Sequence, residues 1–311
     1  MRVYDSKEII DALSMTDLIS VVKNAAISHY KGAYHVPERS HVTFDDNTYL
    51  LMPAIGKRYF ATKLVSVIPG NASINRPVVG GTLVLHDRQD GRVVAMMDAA
   101  PITALRTAAI GALGGQLIVP KAIKSIGVIG CGVQGIWQTI VTCTYRNLKR
   151  VHYYSRSQET AIQYKKAVQQ RLLEVELSQE KNPENVVAKA ELIICCTNSD
   201  IPVFANDDKV AQGKYFISIG SYRPNMQELP DCVYQQSKGI IVDTFTAKVE
   251  SGDVINALRN HWINEDELHS MGKLLFQSNK INNDSDRFVF KSVGMAAFDL
   301  ALAAAIHQKN H

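Results

Sequence analysis

The sequence predicts an α/β protein built on a doubly wound parallel sheet, with a second α/β domain ahead of it. Two observations carry this. Residues 125–135 read SIGVIGCGVQG, in which the β-prone run Ile126, Val128 and Ile129 leads into Gly130, Gly132 and Gly135 at Gly-x-Gly-x-x-Gly spacing. The helical period of Ile136, Ile140, Val141, Thr144 and Leu148 follows, so strand, turn and helix come in the order a βα unit needs. The second observation is that strand and helix signals go on alternating after this loop, as a parallel sheet covered on both faces requires.

The glycine spacing lets backbone approach a pyrophosphate, which then rests on a helix N-terminus, so 125–148 predicts a dinucleotide-binding Rossmann unit. Its second strand, Arg150–Tyr154, ends in Ser155-Arg156-Ser157, where an NAD-binding chain usually carries Asp or Glu for the ribose hydroxyls. A guanidinium between two hydroxyls suits a 2′-phosphate, which predicts NADP(H) as the preferred cofactor with NAD(H) as the second choice. The other strands of this sheet are predicted at 173–177, 192–197, 215–220 and 239–243. Helices are expected over 158–171 and 256–280, and a loop over 282–287.

Ahead of the glycine loop, Arg2–Tyr4 reads as a strand. Two helices start at the capping sequences Asp5-Ser6-Lys7-Glu8 and Ser14-Met15-Thr16-Asp17. Segments 48–52, 59–67, 82–86 and 92–97 alternate as strands of an antiparallel sheet, with turns at Gly70-Asn71 and Asp90-Gly91. Residues 99–117 and 293–307 form two Ala-rich apolar helices, and their faces are expected to pack together, returning the C-terminus to the N-terminal domain. The domains are therefore expected as 1–117 with 290–311, and 118–289.

Composition narrows the class. The chain has 311 residues, 46% of them hydrophobic and 21% charged, and a net charge of +4. That is an ordinary globular balance without the basic, aromatic-laced patch of a nucleic-acid binder. Neither an 18-residue apolar run nor a leader-like N-terminus occurs, so a cytoplasmic protein without membrane contact is expected. The five cysteines, at 131, 143, 195, 196 and 232, have no spacing for a zinc site or a disulfide framework.

Three cations in the N-terminal half stand in apolar or proline-bounded surroundings: Arg39, Lys63 within YFATKLVSV, and Arg106 within TALRTAA. Buried cations need partners. An internal acid such as Asp98 would satisfy one of them, and a substrate carboxylate beside a nicotinamide would satisfy all three. In that case Lys63 is the candidate for passing a proton.

These residues also carry a resemblance. Pro37-x-Arg39, Met52-Pro53, Lys63, Pro69-Gly70-Asn71, Leu105-Arg106-Thr107-Ala108-Ala109, the GCGVQG loop, and IGSYRP followed by Gln227-Glu228-Leu229 resemble the ornithine cyclodeaminase / mu-crystallin family in order and over nearly the whole chain. The resemblance implies a homodimer whose N-terminal domain, completed by the C-terminal helix, carries the dimer and substrate surfaces. It also implies that Arg39, Lys63 and Arg106 hold a substrate carboxylate, with Lys63 and Arg106 catalytic. Val133, Gln134, Ser155, Arg156 and Thr197 would touch the cofactor.

In one place the pattern departs from true cyclodeaminases, which carry an aspartate where this chain has Tyr222. A phenol cannot serve as that carboxylate near neutral pH. The expected activity is therefore NAD(P)H-dependent reduction of a small cyclic imino acid, 1-pyrroline-2-carboxylate to proline or its six-membered homologue, with Tyr222 lining the substrate. Ornithine cyclodeamination with NAD, an alanine or opine-type dehydrogenase, and a non-enzymatic NADPH-dependent binder are the alternatives. No metal is expected.

Overall fold

The computed structural model describes residues 1–74, 76–119, 122–278 and 286–310. The chain forms two compact units, 1–106 with 294–311, and 107–293. The division falls inside the first Ala-rich helix, not at its end as the composition suggests.

In the first unit, β1 (Arg2–Tyr4) is followed by α1 (Ser6–Asp11) and α2 (Met15–Tyr30). Both helices begin as the sequence dictates. Asp5 and Glu8 make a reciprocal capping box, and Ser14 Oγ accepts from Asp17 N at 3.1 Å. Strands β2 (Ser40–Phe44), β3 (Asn47–Ile55), β4 (Tyr59–Val67), β5 (Val79–Asp87) and β6 (Val93–Asp98) form a sheet in the order β1-β6-β5-β4-β3-β2. All neighbours are antiparallel except β1 and β6.

The period of two sends Leu50, Met52 and Ala54 to the buried face, together with Ala61, Lys63, Leu83, Leu85, Ala95 and Met97. The opposite face leaves Tyr49, Leu51, Ile55 and Leu64 exposed. Edge strand β2 is not among the strands the sequence predicts. All five of its residues are exposed, so no buried alternation marks it, and a tight turn with Asp45 at φ +51 folds it onto β3.

Helix α3 (Ala99–Ile118) contributes its first residues to this unit and the rest to the second. In the second unit, β7 (Ser125–Ile129), α4 (Val133–Arg146), β8 (Arg150–Tyr154), α5 (Gln158–Gln169), β9 (Glu176–Gln179), α6 (Pro183–Lys189), β10 (Leu192–Cys195), α7 (Asp208–Ala211) and β11 (Tyr215–Ser218) keep the alternation. The unit continues with α8 (Asp231–Gln235), β12 (Gly239–Val242), α9 (Ala247–Glu250), α10 (Gly252–Arg259), β13 (Leu268–Ser270), α11 (Met271–Gln277) and β14 (Phe288–Lys291). Finally α12 (Ala296–Lys309) belongs to the first unit, where it packs against α2 and against β3, β4 and β5.

The second sheet is wholly parallel in the order β13-β12-β14-β11-β10-β7-β8-β9. Its strand order reverses between β7 and β10. Every residue of β7, β10, β12 and β14 is buried, which is why these strands read as continuous apolar runs.

Two expectations are corrected here. The strand expected at 173–177 lies at Glu176–Gln179, because its register is set by pairing with β8, and Leu173 is 89% exposed in the preceding turn. The helix expected over 256–280 ends at Arg259. His261 at φ +55 turns the chain, an Asn264/Glu267 capping box follows, and β13 pairs with β12. The short Leu-His-Ser edge strand carries no periodic signal. Of the loop expected over 282–287, residues 282–285 lie outside the described residues. Among the described residues no helix is long and apolar enough to cross a membrane.

The second half of α3 packs tightly on the parallel sheet. A Cβ on Gly114 would lie 2.3 Å from the Phe290 ring of β14. Phe290 is fully buried, so Phe290→Ala should destabilise the protein by about 3–5 kcal/mol. Gly114→Ala in the same chain should recover part of that loss by filling the vacated space. Urea unfolding of the single and double variants measures this coupling, and additive effects would mean that the ring does not seat on the glycine.

Candidate functional site

In the second unit, β7 delivers the chain to the glycine turn. Gly130 stands at φ +97, and a Cβ there would meet Cys196 O at 2.6 Å and Thr197 Cγ2 at 2.9 Å. A Cβ on Gly135 would fall 2.1 Å from Gly130 O, so strand and helix approach as only glycine allows. Gly132 is the N-cap of α4, and a side chain there would point into open space. No side chain caps this helix end, which leaves its first-turn amides for an anion. Gln134 Oε1 is buried without a hydrogen-bond partner, and Val133 is 62% exposed.

Gly130 N donates to Tyr154 O at 3.1 Å, which brings the end of β8 beside the turn. There Ser155 is half-buried and Arg156 is exposed. Ser157 Oγ caps α5 by accepting from Thr160 N at 3.2 Å, and its hydroxyl proton is still available to donate. Thr197 follows β10 across the point where the strand order reverses, the crevice that doubly wound sheets use for ligands. Its N and Oγ1 donate to Glu228 Oε1 at 2.5 and 2.9 Å.

An open glycine cradle, uncapped amides and an unpaired buried acceptor fit a dinucleotide. Thiol chemistry does not fit here. Burial pushes Cys131 and Cys143 up to about 12, and Cys195 and Cys196 well above the ordinary thiol value, so they stay protonated. In the loop after β11, Tyr222 is half-buried, with the Arg223 guanidinium 5.4 Å from its ring centre.

In the first unit, Lys63 of β4 and Arg106 of α3 converge on one carboxylate, Asp299 of α12. Lys63 Nζ lies 2.8 Å from Asp299 Oδ2 and 3.1 Å from Thr103 Oγ1. Arg106 Nε lies 3.2 Å from Asp299 Oδ1. The three side chains are 2, 7 and 1% exposed. Using Nε for the aspartate leaves the outer guanidinium nitrogens of Arg106 facing Gly294. A Cβ on that glycine, at φ +73, would lie 2.1 Å from Nη1. Arg39 Nη2 donates to Gly294 O at 2.7 Å, so both arginines meet the same glycine.

Burial lowers the Lys63 ammonium to about 8, against the opposing pull of Asp299. Burial also pushes Asp299 up, but Lys63 and Arg106 outweigh it and hold the carboxyl below the ordinary range. The structure thus brings Arg39, Lys63 and Arg106 together. The acid that pairs Lys63 and Arg106 is not Asp98, which accepts from Ser6 Oγ and, at 3.0 Å, from Ala100 N. Asp299 is the residue that sequence reasoning misses, and its one signal is a lone acid inside the apolar run of α12. Glu228, Asp253 and Lys291, all fully buried, are missed as well.

A Rossmann unit with a glycine cradle, in a chain whose other unit encloses two cations around one carboxylate, defines the class of protein: an α/β protein of the dinucleotide-binding kind. The chain belongs to the ornithine cyclodeaminase/mu-crystallin family, whose sequence profile matches residues 2–311.

It is similar to a Delta(1)-pyrroline-2-carboxylate reductase of Bacillus cereus, 26% identical over 99% of this chain and 96% of the relative. It is also similar to the alanine dehydrogenase of Archaeoglobus fulgidus, 24% identical over 98% of this chain and 94% of that protein. Among solved structures, the Delta(1)-pyrroline-2-carboxylate reductase of Thermococcus litoralis in complex with NADH and L-proline superposes with a TM-score of 0.91 at 25% identity, over 99% of this chain and 97% of that one.

The buried lysine makes stability depend on alkaline pH. Its folded value of about 8 lies below the ordinary 10.5, so between these values the unfolded chain holds a proton that the folded chain does not. The contribution of Lys63 to stability is therefore fully present above pH 10.5 and is lost as pH falls through 8. Against Lys63→Met, the unmodified protein should gain relative stability between about pH 8 and 10.5 in chemical unfolding. A difference that is flat with pH would show Lys63 titrating normally.

Proposed function

We propose that the protein is a pyridine-nucleotide-dependent reductase of a small cyclic imino acid, taking 1-pyrroline-2-carboxylate to proline, with the six-membered 1-piperideine-2-carboxylate as a further substrate. The observation that carries this reading is the imbalance around Asp299: two buried cations share one carboxylate, a surplus of positive charge that a bound anion would neutralise. The resemblance to pyrroline-2-carboxylate reductases supports it.

The nucleotide would lie on Gly130, Gly132, Val133, Gln134 and Gly135, with Ser155, Arg156, Ser157 and Thr197 around it, and when bound would supply the hydride. Arg39 and Arg106 would take the substrate carboxylate, Arg106 through the nitrogens that Asp299 leaves unused. Their charge opposes a protonated imine, so they act by orientation. Lys63, held by Asp299 and Thr103 with its ammonium lowered to about 8, can give a proton to the ring nitrogen directly or through a water, and regain it near neutral pH. Tyr222 offers a donor and an aromatic face where ornithine cyclisation calls for a carboxylate.

The exposed apolar residues on the outer face of the first sheet, Tyr49, Leu51, Ile55 and Leu64, suit a second copy of the chain, and a homodimer is part of this reading. An alanine-dehydrogenase activity is the second reading, favoured by the similarity to the archaeal enzyme.

An NADPH- and NADH-oxidation assay with both cyclic imines, and with pyruvate plus ammonia, separates the two readings. Turnover is expected with the imines, together with no ammonia release from ornithine and NAD. Stoichiometric proline and ammonia from ornithine would replace the reductase reading with a lyase. A second expectation concerns the nucleotide. Because Ser155-Arg156-Ser157 holds no acid, NADPH should bind better than NADH, and Arg156→Ala should erase most of a preference worth about 1.5–3 kcal/mol, roughly ten- to a hundredfold. Equal dissociation constants in the unmodified protein would exclude a phosphate-binding role for Arg156.

A further inference from the structure

Beneath the carboxyl ends of β10 and β11 lies a buried polar cluster that the proposed chemistry leaves unused. Its centre is Glu228, fully buried, on which four donors converge. Oε1 accepts from Thr197 N at 2.5 Å and Thr197 Oγ1 at 2.9 Å, and Oε2 accepts from Ser218 Oγ at 2.8 Å and Gly220 N at 2.6 Å. One carboxylate therefore fastens the residues that leave two neighbouring strands.

Further contacts fix Glu228 itself. Its backbone N donates to Asp253 Oδ2 at 3.2 Å, and Leu229 N and Tyr234 OH donate to Asp253 Oδ1 at 3.1 and 2.7 Å. Ser221 Oγ also bonds Asp253. Lys291 Nζ donates to Ser218 Oγ at 2.9 Å and lies 4.0 Å from Asp253 Oδ2, which supplies the countercharge.

The arrangement has little slack. A Cβ on Gly220 would lie 1.8 Å from Thr197 O and 2.7 Å from Glu228 Oε1, and Thr197 in turn crowds the Gly130 position. We propose that Glu228 is a positioning residue for nucleotide binding: by tying Thr197 to Gly220 it sets the wall against which the glycine turn forms. The inference rests on the reading that this unit binds a pyridine nucleotide.

The donor count makes the idea specific. Each carboxylate oxygen faces one backbone N–H and one hydroxyl, so glutamine in either orientation would turn an NH₂ group against an N–H that cannot rotate away. The near-isosteric Glu228→Gln should therefore disturb Thr197 although almost no volume changes. Burial, aided by the neighbouring Asp253 charge, raises the Glu228 carboxyl above its ordinary value, and Lys291 with the donors from Thr197 and Ser218 offsets only part of this.

The test titrates NADH and NADPH by fluorescence, with no imine present. Glu228→Gln should raise both dissociation constants at least tenfold, and Glu228→Asp, too short to span both strand ends, by a smaller factor. Asp243→Asn is the control. This buried carboxylate in the same unit accepts from Ser292 Oγ at 2.6 Å and Val293 N at 3.2 Å, so its loss should lower the thermal midpoint yet leave nucleotide affinity within twofold. Adding Thr197→Val to Glu228→Gln should cost much less than the sum of the two.

A folded Glu228→Gln with unchanged affinity would overturn the proposal and reduce Glu228 to a structural role. If circular dichroism finds that variant unfolded, Glu228→Asp decides on the same terms. An unmodified protein that binds neither nucleotide would refute the nucleotide reading itself, and this inference with it.

Discussion

One carboxylate, Asp299, holds the first unit to its purpose. Lys63 comes from a strand, Arg106 from a helix well after it in the chain and Asp299 from the C-terminal helix. Packing of the sheet and helices brings them side by side, and the ion pairs join them there. Removing one partner from such a buried set typically costs about 3–5 kcal/mol, because the remaining charge is stranded out of water. The same pairs orient the outer nitrogens of Arg106 and leave Lys63 Nζ on Thr103, so the interaction that anchors α12 also fixes the placement of both cations.

The second unit follows a comparable logic with a different chemistry. Its central strands β7, β10 and β12 are buried along their whole length, and at the carboxyl ends of β7, β10 and β11 Gly130, Thr197 and Gly220 meet. Close approach of backbone is possible there only because glycines stand at these points, and a buried glutamate absorbs the amides that this approach leaves unpaired. Both units thus place a carboxylate out of water to organise donors. Asp299 gathers cations, and Glu228 gathers amides and hydroxyls.

The reaction proposed makes limited demands on such a framework. Hydride chemistry belongs to the nucleotide, and the chain must bind, orient and move a proton. A lysine lowered to about 8 beside two arginines suits the last task, since near neutral pH it can both give a proton and recover it. On the proposed reading Tyr222 would mark the difference from a lyase, because cyclisation of a diamine needs a base that a phenol does not provide.

Local pattern alone determined the greater part of this architecture. The strand-turn-helix around 125–148, the capped starts of α1 and α2, the alternating strand β4 and the Ala-rich helices α3 and α12 were all legible, since each depends on the spacing of apolar residues or on a cap. The cations Arg39, Lys63 and Arg106 stood out for the same reason, as charges in apolar surroundings. Strands β2 and β13 were not legible, because an exposed or three-residue edge strand is defined by its neighbour and carries no period of its own. The partners of the cations were not legible either. Asp299 lies 193 residues beyond Arg106, while Asp98 was nearer in the chain, and only the folded sheet and helices decide which acid reaches them. Glu228 is the same case: a single glutamate after a loop has no pattern, and its role appears only when β10 and β11 lie side by side and their terminal amides need an acceptor.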